Sequence, residues 1–62
     1  GPVLKEIAIV YGELGEMDRA FDYLERALEE DPASLTFLPS DPTADSLRAD
    51  PRMDELMRKL GL

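Results

Sequence analysis

The chain has 62 residues, 34% of them charged, a net charge of −7 and no cysteine. Its length allows one domain at most, and the lack of thiols excludes disulfides and thiolate metal sites. The acidity disfavours nucleic-acid backbones and anionic membrane surfaces as partners, and no run reaches the roughly 18 apolar residues of a membrane span.

Gly1-Pro2 reads as the scar of a cleaved expression tag. If Pro2 is native, its fixed φ suits the first position of a helix. That helix is expected from Val3 to Leu14, with Leu4, Ile7, Ala8, Tyr11 and Leu14 at the three-then-four spacing of one face. Ile9 and Val10 extend the apolar surface round the helix, so cover is expected on more than one side. Gly15 makes the turn, because glycine takes a positive φ without a steric cost.

A second helix is expected from about Met17 to Glu30. Met17, Ala20, Phe21, Leu24, Ala27 and Leu28 form its apolar face. Glu16 and Asp18 suit the positive end of the helix dipole. Asp22 and Arg26 are spaced for an i,i+4 ion pair, whereas Glu25 and Glu29 repel at the same spacing. Glu29-Glu30-Asp31 is a solvated acidic end, and Pro32 stops the helix. Small Ala8, Ala20 and Ala27 against bulky Tyr11, Phe21 and Leu24 let the two helices approach closely. The expected core is Tyr11, Ala20, Phe21, Leu24 and Leu28.

Residues 33–40 read as a linker in extended conformation, with Phe37 and Leu38 packed back on the hairpin. Asp41-Pro42 and Asp50-Pro51 each place an N-cap before a proline at the first helical position. They open two short helices, one through Leu47 or Arg48 and one from Pro51 to Leu60. Met53, Leu56, Met57 and Leu60 form the apolar face of the latter. Arg58 and Lys59 suit its negative end, and Gly61 its left-handed stop. Leu62 is expected to fold back on Met57. The expected fold is therefore all-α, with a helical hairpin over 3–32, a linker over 33–40 and a capping tail over 41–62.

Leu4, Ile7-Ala8, Tyr11, Gly15, Ala20, Leu24, Ala27 and Pro32 follow the pattern of a tetratricopeptide repeat. This stretch resembles that family, whose unit is a helix–turn–helix of roughly 34 residues. Leu4 stands where tryptophan is common and Leu24 where an aromatic is common; both keep the bulk. The resemblance covers about half the chain, in a single copy. It implies protein–protein recognition without chemistry, with ligands touching the inner face of the first helix at Lys5, Ile9, Gly12 and Glu13. Some members clamp a peptide carboxylate there with a lysine and an asparagine. Lys5 fits that set, and Ile9 stands where the asparagine is needed. The segment from Asp41-Pro42 through Leu47-Arg48-Ala49-Asp50-Pro51-Arg52-Met53 to Leu60-Gly61-Leu62 is similar to the tail after the last repeat in bacterial multidomain signalling regulators. Their tail usually has an aromatic where Met53 stands. It implies a terminal repeat and cap of a cytoplasmic regulator, with any kinase or DNA-binding activity outside this chain.

The chain contains no histidine or cysteine, so the common nucleophile–base pairs are missing. Ser34, Ser40 and Ser46 fit turn or cap roles. Asp41 to Asp50 lacks the central glycine and final glutamate of a calcium loop. Met17, Met53 and Met57 read as core filler. No catalytic residue, metal site or cofactor is expected. The expected function is protein–protein interaction, through self-association into a homodimer at Leu4, Ile7, Ile9, Val10 and Tyr11. The alternatives are a structural C-terminal cap of a helical array, and peptide binding at Lys5, Gly12 and Glu13.

Overall fold

The computed structural model describes residues 3–61. The expectations for Gly1, Pro2 and Leu62 lie outside that range. Every regular element among the described residues is helical, so the fold is all-α. Helix α1 spans Val3–Glu13 and α2 spans Met17–Glu30. Between them Gly15 sits at φ 81°. The Glu16 N–H donates to Tyr11 O at 2.9 Å and the Gly15 N–H to Gly12 O at 3.2 Å. This pair of bonds is the Schellman stop, which satisfies the last carbonyls of α1 and needs a residue free to take a positive φ.

The three small residues let the helices close on each other: Ala8, Ala20 and Ala27 are completely buried between α1 and α2. At the far end of α2 the chain turns at Pro32. A 3-10 turn over Pro32–Leu35 comes directly after it, and the Ser34 hydroxyl donates to the Asp31 carbonyl at 2.8 Å.

The linker is not extended. It forms two 3-10 turns, Pro32–Leu35 and Leu38–Ser40, with a third at Pro42–Ala44. At three residues per turn, Leu35 and Leu38 fall on one side, and both are fully buried. Phe37 points away and is 76% exposed, so the expectation that it packs back is corrected. Local hydrogen bonds that a lone strand lacks favour the tight turns.

Asp41 caps the third turn, accepting from the Thr43 N–H at 2.9 Å and the Thr43 hydroxyl at 2.6 Å. The turn leads into the short helix α3, Asp45–Arg48. Asp50 accepts from the Arg52 N–H at 2.9 Å and opens α4, Arg52–Leu60. Gly61 ends α4 at φ 85°, as its place predicts. Met53 and Leu56 of α4 are buried and Met57 and Leu60 half-buried, which matches the predicted face.

The tail closes over the hairpin. Helix α3 and the turn before it pack on α1, and α4 packs on α2. Arg52 spans the α2–α4 seam: its guanidinium lies 4.9 Å from the Phe21 ring centre and reaches Asp18 at 2.8 Å. Lys59 reaches Glu25 at 3.0 Å.

Candidate protein-contact surface

Helix α1 carries the candidate surface, because its circumference divides into four sectors of different fate. Leu4, Ala8 and Tyr11 turn towards α2; Ala8 is buried, and Leu4 and Tyr11 are half-buried. Ile9 and Gly12 turn towards the tail and are buried within the chain. A side chain at Gly12 would put its Cβ 2.7 Å from a methyl of Leu47. Gly12 is therefore the contact that lets α3 approach α1, not an open ligand face. Ile9 is likewise mostly covered within this chain, and what remains of its surface faces the space between α1 and the tail. The family pattern placed these two residues on the inner face without showing that this tail fills it.

Beside them lies an open groove of about 330 Å³, between Lys5, Glu6, Ile9, Val10 and Glu13 of α1 and Asp41 and Thr43 of the tail. Lys5 stands 4.0 Å from Asp41 across it. Of the predicted ligand residues, Lys5 and Glu13 line this groove, and Gly12 does not.

The fourth sector is apolar and open. Val3 is 61% exposed, Val10 56% and Leu14 69%. With half-buried Ile7 they form the series 3-7-10-14, whose four-three-four spacing makes one continuous stripe. Of the predicted interface residues, Ile7 and Val10 belong to this stripe, and Leu4 and Tyr11 flank it on the α2 side. Val3 and Leu14 are not among the residues expected at the interface. The 3-7-10-14 spacing was the legible signal for both.

Next to the stripe, on the side away from the tail, the two tyrosines stack. The rings of Tyr11 and Tyr23 are 5.7 Å apart at 14°. Arg19 lies 5.9 Å from the Tyr11 ring centre and Arg26 lies 5.4 Å from that of Tyr23. Arg26 thus covers an aromatic ring instead of forming the predicted pair with Asp22. Stacking keeps the ring faces covered while each guanidinium stays hydrated.

Among the described residues, the carboxyls of Asp41 and Asp50 are driven down. The Thr43 hydroxyl and then its N–H hold Asp41 below the usual 3.8, with Lys5 and Arg48 adding to the effect. The Arg52 guanidinium and then its N–H do the same for Asp50. Both groups are set up to stay ionised, the opposite of a general acid poised near neutrality. Among the described residues, no group of three or more acidic side chains is arranged to hold a metal ion. No described helix is long and apolar enough to cross a membrane. Comparison with protein-family models, curated proteins and solved structures gives no match.

Proposed function

We propose that this chain is a non-catalytic protein–protein interaction module that self-associates through the open side of α1. The observation that carries this reading is the Val3–Ile7–Val10–Leu14 stripe, which stays uncovered although the tail buries Ile9 and Gly12 on the other side. Singly exposed apolar residues are ordinary, but a row of them along one helix favours a partner. The tetratricopeptide-like pattern of residues 4–32 supports the same class of function. A stripe one helix wide lies at the low end of specific interface sizes.

The test is light scattering on a sizing column over a wide concentration range. The wild-type mass is expected to approach twice 6.9 kDa at high concentration and to fall on dilution. Val10→Glu places a charge at the centre of the stripe and is expected to hold the chain at 6.9 kDa with its helical circular dichroism unchanged. A second reading is favoured by the tail packed on α1. In it the chain is the terminal cap of a helical array in a larger cytoplasmic regulator, and a preceding helix covers the stripe. A wild-type mass that stays monomeric at every concentration would favour that reading over self-association.

A further inference from the structure

Exposed glutamates on one edge of the open face and exposed arginines on the other stand at the same spacing. The inference rests on self-association through α1. Along the groove edge of the stripe lie exposed Glu6 and Glu13, seven residues apart on α1. Along the opposite edge lie exposed Arg19 and Arg26, seven residues apart on α2. Seven residues rise about 10.5 Å in either helix, so the two rows have equal spacing. The arginines are held on that edge by the stacked tyrosines. Arg19 has Glu16 at 4.0 Å but keeps 68% of its side chain exposed. Helix α2 runs back along α1, so Arg19 lies level with the Glu13 end and Arg26 with the Glu6 end.

We propose that the chain forms a two-fold homodimer with its α1 helices side by side and parallel, Glu13 of each copy facing Arg19 of the other and Glu6 facing Arg26. A two-fold axis along α1 exchanges left and right edges while keeping position along the helix. Each acidic edge then meets a basic edge in register, over a continuous apolar stripe. A two-fold axis across α1 would instead set arginines against arginines and glutamates against glutamates. Like charges facing across an interface are strongly disfavoured, so the parallel arrangement wins. The partner is therefore a second copy of this chain, and the pairs at the rim set its orientation while the stripe supplies the apolar burial.

The experiment is a charge exchange between Arg26→Glu and Glu6→Arg, read by sedimentation equilibrium, with circular dichroism to verify the fold. Alone, each variant brings like charges together at two symmetric places, and its dimer is expected to be about tenfold weaker than wild type. Mixed in equal amounts, the two variants restore both pairs, and the mixture is expected to return to the wild-type dissociation constant. A mixture no tighter than its separate components would overturn the parallel register. If Val10→Glu still abolishes the dimer in that case, self-association through α1 stands and only the orientation falls. A wild-type chain that is monomeric up to millimolar concentration overturns both.

Discussion

Gly12 shows how one missing side chain positions a whole segment. Alanine there gains about 1 kcal/mol of helix propensity over glycine. An added Cβ would also lie 2.7 Å from a methyl and 3.0 Å from the branch carbon of Leu47, which is completely buried. Overpacking of this kind costs about 1–3 kcal/mol, so clash outweighs propensity. Gly12→Ala is expected to lower the urea midpoint in the wild-type background. Combined with Leu47→Ala, the same change is expected to become neutral or stabilising, because only the propensity gain remains. Equal effects in both backgrounds would refute the contact.

At the same scale, Asp41 and Asp50 link stability to pH. Both carboxyls are held below 3.8 in the folded chain. The charged form is thus favoured by folding. Their contribution is fully present above the unfolded value and is lost as pH falls through the lower folded values. Asp50→Asn is expected to be less stable than wild type at neutral pH, and the difference should shrink as pH drops below 3.8. Denaturant titrations at several pH values measure this; a gap that does not change with pH would contradict it.

Among the elements, α3 matters out of proportion to its length. It spans only Asp45–Arg48, yet its Leu47 fills the space above Gly12 and is one of the largest side chains fully buried among the described residues. Leu47→Ala should cost about 2–5 kcal/mol, from lost transfer energy and the cavity left behind. A domain of this size has a total stability of about 3–9 kcal/mol. The variant is therefore expected to be close to unfolding at 25 °C by circular dichroism and urea titration. A loss below about 1 kcal/mol would mean that the tail does not depend on this contact. The capping reading and the dimer reading share this dependence, since both need the tail seated on α1.

The whole molecule is rounded, with extents of 26 × 21 × 19 Å and a radius of gyration of 10.0 Å. Its exposed surface, 3879 Å², is close to the roughly 4,000 Å² expected for a compact monomer of its mass. The tail thus gives a short hairpin the burial of an ordinary small domain, and the remaining apolar stripe is a local feature. If self-association holds, the thermal midpoint of the wild type should rise with protein concentration, and that of Val10→Glu should not. A calorimetric series over a hundredfold dilution distinguishes the two; identical wild-type midpoints would count against the dimer.

Elements whose causes are local were legible in the residues alone. Gly15 and Gly61 stand where a positive φ ends a helix, Pro32 stops α2, and Asp41 and Asp50 cap the helical turns that begin beside them. The small and large residues of the hairpin named its contact face, because helix periodicity is a property of a few consecutive turns. Which side of α1 the tail covers emerges from the packing of the folded chain. That choice rests on contacts such as Gly12 with Leu47, which are distant in sequence, so the periodicity of α1 alone does not encode them. It buried Ile9 and Gly12, left Val3, Val10 and Leu14 open, and turned Phe37 outward while Leu35 and Leu38 went in. An apolar helix surface says that cover is needed; the path of the rest of the chain says where that cover comes from.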